Sequence, residues 1–260
     1  MFKHRQWRLI ETGVGTASWN MAVDEALLSE YREGDTPILR LYGWEKSLSL
    51  GRFSKINSLV DTEQLKQHGI ACIRRLSGGG ILVHGDDLSY SLVMPRDTEQ
   101  WVKESYRSIC GFLIRLYRML GYDAAFACDL GHPLSQSDIC LAGNEAYDIL
   151  INGEKIGGNA QRHVHDFLLQ HGSIPMSFDT RLWVPFFLVE SGLERAVTLG
   201  KLGNEIMYDK LVLLVKESFS ETFGVRFIYD DLTPSEEEKA KELMAKKYTQ
   251  ESWNIDAKAV

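Results

Sequence analysis

Hydrophobic and polar positions follow two different periods along this chain, which predicts strands interleaved with helices. The clearest two-residue period covers Leu88–Met94, where serines alternate with apolar residues and predict a half-buried strand. The clearest helical period runs from about Glu99 to Leu120, stops at Gly121 and predicts a core helix. Together the two kinds of element predict an α/β chain.

The shorter elements are predicted from the residues that begin and end them. Asn20 is expected to cap a helix that extends to about Tyr31, with Asp24 and Glu25 in its first turn. Asp61 and Gln64 form a capping pattern for a short helix that ends at Gly69. Further helices are expected after Asn204 and after Thr233-Pro234. Short strands are expected at Gln6–Ile10, Ile38–Tyr42, Ser47–Leu50, Ala71–Arg75 and Ile81–His84.

A hairpin is the strongest local prediction in the second half of the chain. Ala146–Ile151 and Glu154–Ile156 are joined by Asn152-Gly153, the pair that suits a type I′ turn. The turn places Lys155 on a strand close to glycines, where its amine is held better than on a mobile surface helix.

Length and charge narrow the classes of protein. The chain has 260 residues, of which 44% are hydrophobic and 25% are charged, values typical of a globular protein. We expect a single catalytic domain over 1–260, in which 201–260 form a helical C-terminal segment packed on the rest. The net charge of −7 argues against a general nucleic-acid binder or membrane-surface binder. Between Thr36 and Gly80, however, basic residues outnumber acidic ones, which makes this stretch a candidate docking surface for an acidic partner.

The four cysteines are widely spaced and contain no C-x-x-C pair, so we expect reduced thiols and no structural metal. No apolar targeting segment begins the chain, and no stretch has the roughly 20 apolar residues of a membrane span. A cytoplasmic location, without a membrane partner, is the expectation.

Two glycine-rich stretches carry candidate chemistry. Two interpretations fit the first, Arg74-Arg75-Leu76-Ser77-Gly78-Gly79-Gly80: a plain loop between strands, or a cradle whose N–H groups and arginines hold a carboxylate, a thioester oxygen or a phosphate. Lys155-Ile156-Gly157-Gly158 has the same two interpretations, a bulged strand or a positioned amine. Cys140, between apolar residues, is either a small buried side chain or a nucleophile whose thiolate Lys155 stabilises.

Six short motifs in order resemble the lipoate-protein ligase and octanoyltransferase family. They are Asn20-Met-Ala-Val-Asp24-Glu-Ala-Leu, Ser49-Leu-Gly51-Arg, the glycine-rich stretch from Arg74 to His84, Leu88-Ser-Tyr90-Ser91, Lys155-Ile-x-Gly158-x-Ala160-Gln161-Arg162 and Gln170-His171-Gly172-Ser173. The resemblance implies an α/β (α+β) fold similar to biotin and lipoate protein ligases, with a mixed, largely antiparallel sheet and flanking helices.

The resemblance also implies site residues. Cys140 precedes Lys155 by 15 residues, as in the cysteine-dependent branch of the family, which implies that these two residues are catalytic. The implied substrate-binding residues are Arg74, Arg75, Ser77, Gly78, Gly79, Gly80, His84, Gly158, Ala160, Gln161, His171 and Gly172. An apolar acyl tunnel is also implied, for which Tyr42, Val83 and Leu92 are candidates.

Two chemistries occur in this family. In the first, an octanoyl group moves from acyl carrier protein through a Cys140 thioester to a lysine of a lipoyl-domain protein, such as a 2-oxoacid dehydrogenase acyltransferase subunit or the glycine cleavage H protein, without a cofactor. In the second, a ligase uses ATP and Mg²⁺ to form a lipoyl-adenylate. The cysteine favours the first chemistry, and the second stays open.

Overall fold

A computed structural model describes residues 4–97, 101–131 and 146–258. Its main sheet has six strands: β1 (Gln6–Gly15), β2 (Ile38–Trp44), β6 (Asp87–Pro95), β10 (Gly158–Val164), β11 (Phe167–Pro175) and β12 (Arg226–Tyr229). Their order across the sheet is β10-β11-β6-β2-β1-β12. The β10–β11, β11–β6 and β6–β2 pairs are antiparallel, and β2–β1 and β1–β12 are parallel. The predicted mixed, largely antiparallel sheet is therefore confirmed.

Two three-stranded sheets accompany the main sheet. The first consists of β3 (Ser47–Leu50) between β4 (Ala71–Arg74) and β5 (Leu82–His84), and the glycine-rich stretch joins β4 to β5. The second consists of β7 (Ala124–Phe126), β8 (Ile149–Ile151) and β9 (Glu154–Lys155).

Helices cover both faces of the main sheet. The longer ones are α1 (Ala17–Glu30), α3 (Val102–Met119), α5 (Tyr208–Phe223) and α6 (Pro234–Leu243), and the shorter ones are α2 (Thr62–Gln67), α4 (Thr180–Trp183) and α7 (Glu251–Asn254). One apolar core joins α3 and α5 to the sheet through side chains such as Leu41, Tyr90 and Phe112. A second core joins α1, α6 and Trp253 to the opposite face.

Two predictions about these elements are wrong because polar residues are buried where the sequence suggests exposed or capping positions. Ser89 and Ser91 were expected on an exposed face of the strand, yet both are buried because α1 covers that side of β6. Asn20 was expected to cap α1, but Thr16 accepts the hydrogen bond from the Trp19 N–H and begins the helix one turn earlier. Buried polar groups, which look like surface or capping residues in the sequence, line the inside of this face.

Other local predictions are confirmed. Asp61 caps α2, and Thr233 caps α6 in a capping box with Glu236. The hairpin forms as expected, with φ angles of 55° at Asn152 and 81° at Gly153. Within the described residues, no helix combines the length and the apolar character that crossing a bilayer requires.

Candidate functional site

A cavity that opens to solvent lies between the main sheet and the sheet that carries the glycine-rich stretch. We call it the central cavity. Its apolar wall includes Met21, Tyr42, Trp44 and Leu82, and its polar wall includes Ser49, Arg75, His84, Ser89, Asn159, His171 and Ser173.

The central cavity brings together many residues that the resemblance implied from distant parts of the chain. Those that line it are Arg75, Gly79, His84, Gly158, Ala160, His171 and Gly172. Of the candidate tunnel residues, Tyr42 lines the cavity. Val83 and Leu92 are not among its lining residues, whereas the neighbouring Leu82 is.

Glycine at position 51 allows the glycine-rich stretch to lie against the loop that follows β3. A Cβ atom on Gly51 would stand 1.7 Å from the carbonyl oxygen of Gly79, so that position has no room for a side chain. The backbone N–H of Gly51 donates to the Gly80 oxygen, and the N–H of Arg52 donates to the Ser77 oxygen.

Arg75 holds the glycine-rich stretch from the side of the cavity. Its Nη2 donates to the carbonyl oxygens of Gly78 and Gly80 at 3.1 and 2.8 Å, and its Nη1 donates to Ser49 Oγ at 2.8 Å. The guanidinium therefore shapes the loop and also faces the cavity.

Arg74, its neighbour, has a different set of partners. Its guanidinium donates to backbone oxygens of Gly51, Arg52, Ser54, Trp253 and Ile255, and it is not among the residues that line the cavity. Arg74 thus fastens the C-terminal helix α7 to the loop after β3, and these bonds account for its burial. Substrate binding by Arg74 remains a prediction.

A buried carboxylate, Asp24 of α1, lies behind His171. His171 Nδ1 donates to Asp24 Oδ2 at 3.0 Å, and His171 Nε2 lies 2.5 Å from Ser77 Oγ. Burial by itself would raise the pKa of Asp24, but the hydrogen bond from His171 and the charge of Arg40 outweigh burial and hold that pKa below its ordinary value. Asp24 therefore stays ionised and orients the His171 ring.

Asp87 is a second buried carboxylate, and it orients the ring of His84 on the other side of the cavity. Its Oδ2 accepts from His84 Nδ1 at 2.9 Å, and His84 Nε2 lies 2.7 Å from Ser49 Oγ. Burial would raise the pKa of Asp87, but its electrostatic attraction to the His84 ring and the hydrogen bonds from His84, Ser173 and the Gly85 N–H hold that pKa below the ordinary value. The His84 ring also stacks on Trp44, with 4.0 Å between ring centroids.

Lys155 is buried in an ion pair with Asp148, with 2.6 Å between Nζ and Oδ2. The hairpin register places Leu150 opposite Lys155, so Asp148 is the diagonal neighbour on the same face of the ribbon. Lys155 is not among the residues that line the central cavity. Cys140 lies outside the described residues, and so its predicted approach to Lys155 stays a prediction.

The remaining predicted residues lie around the cavity rather than in it. Ser77 is fully buried behind His171, and the carbonyls of Gly78 and Gly80 accept from Arg75. Gln161 donates to Gln170 Oε1 at 2.6 Å and accepts from His163, away from the lining.

Sequence reasoning missed three carboxylates, Asp24, Asp87 and Asp148. Asp148 had a usable signal, because the Asn152-Gly153 turn sets the register that brings it to Lys155. Asp87 lies only three residues after its partner His84, so this pair was also readable locally. Asp24 had no such signal, since its partners Arg40 and His171 come from distant strands. Within the three described stretches, no group of three or more His, Cys, Asp or Glu side chains is placed to hold a metal ion.

Comparison with known proteins gives the context for this geometry. The family model described as "Lipoyl protein ligase A/B catalytic domain" matches residues 16–205. The chain is 36% identical, over 95% of its length and 98% of the relative's, to "Octanoyltransferase LipM" of Kyrpidia tusciae. The predicted enzyme class, an acyltransferase, agrees with that name.

Solved structures agree with the fold. The chain superposes on a lipoate-protein ligase A bound with ATP with a TM-score of 0.86 and 29% identity, covering 97% of this chain and 100% of that one. It superposes equally well on the bipartite lipoate protein ligase of Thermoplasma acidophilum, described with its E2 lipoyl domain, with a TM-score of 0.85 and 28% identity over 99% of each chain. With the match over residues 16–205, these similarities show that the chain belongs to the lipoyl protein ligase A/B catalytic domain family.

Proposed function

We propose that this protein transfers an octanoyl group from acyl carrier protein to a lysine of a lipoyl-domain protein, through a thioester on Cys140. The observation that carries the proposal is the 36% identity to an octanoyltransferase over nearly the whole of both chains. The central cavity supports it, because an apolar wall and a polar wall meet in one small space. Each methylene buried against the apolar wall contributes about 0.8 kcal/mol, so a short acyl chain needs no charged anchor there.

In the first step, the Cys140 thiolate attacks the carbonyl carbon of the carrier thioester. A sulfur–carbon bond to Cys140 forms, the bond to the carrier sulfur breaks, and the carrier leaves as a thiol after taking up a proton. The Lys155 ammonium favours the thiolate over the thiol. Asp148 keeps that ammonium in a defined place, since the pair is buried and only 2.6 Å apart.

In the second step, the neutral amine of the acceptor lysine attacks the Cys140 thioester. A carbon–nitrogen bond forms, the carbon–sulfur bond breaks, Cys140 regains its thiolate, and the proton lost by the amine passes to solvent or a nearby base. Arg75 and the N–H groups of the glycine-rich stretch face the carbonyl oxygen, where its charge develops. Loss of one such donor costs on the order of 3 kcal/mol in other acyl-transfer sites.

The described cysteines support the choice of Cys140 as nucleophile. Burial raises the pKa of the Cys72 and Cys110 thiols to about 12, so neither forms a thiolate readily at neutral pH. Cys128 is exposed and lies beside Arg107 and Asp129 on the protein surface. It therefore serves as a matched control.

The test is intact-mass analysis of the protein and of an apo lipoyl domain after incubation with octanoyl carrier protein. We expect an acyl adduct on the wild type that hydroxylamine removes, octanoylation of the lipoyl domain without ATP, and loss of both in Cys140→Ser. Cys128→Ser should behave as the wild type. Full transfer by Cys140→Ser, or no adduct on the wild type, contradicts the thioester scheme.

A second candidate is an ATP-dependent ligase that forms a lipoyl-adenylate and requires Mg²⁺. The similarity to a ligase bound with ATP favours it. It predicts pyrophosphate release that depends on free lipoate or octanoate, and modification of the lipoyl domain only when ATP is present. The transfer scheme, by contrast, needs no cofactor, so the arms with and without ATP separate the two.

The docking surface for the acidic carrier is proposed to be smaller than the sequence suggests. Arg40, Arg74 and Arg75 belong to the basic stretch between Thr36 and Gly80, but all three are buried. The exposed basic side chains of that stretch are Lys46, Lys55 and Lys66, with Arg52 partly exposed, and the acidic Glu45 and Glu63 are exposed as well. Attraction of the carrier to these lysines would raise the association rate more than the final affinity.

A further inference from the structure

Asp87 is a junction between the two sheets that enclose the central cavity. Its Oδ2 accepts hydrogen bonds from His84 of β5, from Ser89 of β6 at 3.1 Å and from Ser173 of β11 at 2.7 Å. Its Oδ1 accepts from the backbone N–H of Gly85. Since Asp87 is only 5% exposed, these donors take the place of water around the carboxylate.

From Asp87 a chain of hydrogen bonds reaches the glycine-rich stretch. His84 contacts Ser49 Oγ at 2.7 Å, and Ser49 Oγ accepts from Arg75 at 2.8 Å. Arg75 then donates to the carbonyl oxygens of Gly78 and Gly80. The chain crosses from the main sheet to the cavity wall through buried or nearly buried groups.

The chemistry of the donors sets the direction of each bond in this chain. An arginine can only donate, so Ser49 accepts from Arg75 and its own hydroxyl proton is available for His84 Nε2. An ionised Asp87 can only accept, so His84 carries its proton on Nδ1. The neutral Nδ1–H tautomer of His84 satisfies both ends of the chain at once.

We propose that Asp87 is a positioning residue: by fixing the Nδ1–H tautomer of His84, it orients Ser49 and holds Arg75 on the glycine-rich stretch in the geometry that acyl transfer requires. This inference rests on the proposed function, because acyl transfer is the reaction that the positioned groups serve. Asp87 touches no reacting atom in this scheme and acts through His84 and Ser49.

The test compares Asp87→Asn with Asp86→Asn. Asp86 is the adjacent residue, but it is exposed, and its side chain accepts from Ser177 outside the chain of bonds. Asparagine keeps one acceptor oxygen but loses the second oxygen and the negative charge, and its NH2 group must take the place of one carboxylate oxygen. The attraction that holds the His84 proton on Nδ1 is therefore weaker, and we expect that proton to shift to Nε2. We expect kcat for lipoyl-domain octanoylation to fall about ten- to hundredfold, with KM for octanoyl carrier protein changed less than about twofold. Asp86→Asn should keep the kcat of the wild type.

Nitrogen-15 NMR of the His84 ring gives a readout that a merely structural role would not move. We expect the Nδ1–H tautomer in the wild type and in Asp86→Asn, and the Nε2–H tautomer in Asp87→Asn. A wild-type Nε2–H tautomer, or an unchanged kcat in folded Asp87→Asn, overturns the inference.

A second variant keeps the inference testable if Asp87→Asn does not fold. Ser49→Ala breaks the link between His84 and Arg75 but leaves every partner of Asp87 in place, and we expect the same loss of kcat with the same small change in KM. An unchanged kcat in Ser49→Ala overturns the inference. Absence of any octanoyl transfer by the wild type instead contradicts the proposed function, and the NMR result for His84 stays informative in that case.

Discussion

At the scale of single residues, the central cavity depends on close backbone contact and on buried carboxylates. Gly51 lets one loop touch another, while Asp24 and Asp87 each hold a histidine from behind. These features explain why short polar residues and glycines are concentrated in the motifs. Their effects are open to measurement one side chain at a time.

Gly51→Ala should destabilise the protein and disturb the glycine-rich stretch. The new Cβ would meet the Gly79 oxygen at 1.7 Å, and that oxygen is backbone, which cannot simply turn away. We expect a loss of about 2–3 kcal/mol in the free energy of urea unfolding, together with reduced transfer. The control is Gly111→Ala in α3, where the nearest atom lies at 3.8 Å and helix propensity predicts a gain of up to about 1 kcal/mol. Equal stability of the two variants would contradict the packing argument.

Lys155→Met should destabilise the protein strongly, because it leaves the Asp148 carboxylate buried beside an apolar side chain. Breaking a buried ion pair from one side costs about 3–5 kcal/mol. The double variant Lys155→Met/Asp148→Leu should recover much of that loss, since no charge is then left behind. Urea unfolding of the single and double variants measures the difference, and a double variant less stable than the single one would argue against this account.

Acid should destabilise the protein through Asp24 and Asp87. Both have folded-state pKa values below the ordinary 3.8, so the unfolded chain binds protons first and their contribution is lost as the pH falls below that value. We expect the free energy of unfolding to decline from about pH 4 downward, and less steeply in Asp24→Asn. Glu33→Gln, at an exposed carboxylate in the turn after α1, is the control and should keep the wild-type slope. Identical slopes in all three proteins would count against the assignment.

At the scale of elements, the hairpin of β8 and β9 sets the relation between Lys155 and Asp148. The register is fixed by a two-residue turn in which both residues have positive φ. Arg74 also connects two elements, since its guanidinium donates hydrogen bonds both to α7 and to the loop after β3. Lys155 and Arg74 each stabilise a local arrangement of elements, and neither side chain lines the central cavity.

Gly153→Ala should weaken the hairpin. At a φ of 81° an added Cβ crowds the backbone, and we expect a loss of about 1–2 kcal/mol in the free energy of unfolding. Asn152→Gly is the matched change, because glycine accepts the φ of 55° and the turn survives, with an expected change of less than about 1 kcal/mol. Urea unfolding measures both variants. A loss in Asn152→Gly as large as that in Gly153→Ala would contradict this reading of the turn.

At the scale of the whole molecule, the distribution of surface charge bears on where a carrier protein would dock. The net charge is −7, yet the exposed lysines of the stretch between Thr36 and Gly80 offer a local positive surface. An acidic carrier would be attracted to that surface and repelled by much of the rest.

Reversal of Lys46, Lys55 and Lys66 to glutamate should raise KM for octanoyl carrier protein several-fold at low salt and leave kcat nearly unchanged. Salt should reduce the difference from the wild type, because exposed charges are screened within about 10 Å at 0.1 M. Reversal of Lys239 and Lys241 on α6, and of Lys246 in the helical turn that follows it, changes the net charge equally and is the control. The same KM increase in both triple variants would show a general charge effect and no defined docking surface.

The family, the kinds of element and most of the caps and turns can be read from the amino-acid sequence alone. The caps at Asp61 and Thr233 and the turn at Asn152-Gly153 are formed by residues close along the chain, so their chemistry is readable there. Only the folded arrangement of the elements shows what buries β6 on both faces and which carboxylate lies behind His171. Those contacts join strands and helices that are far apart in sequence. The residue type alone does not show whether a polar side chain is buried with a partner or exposed to water.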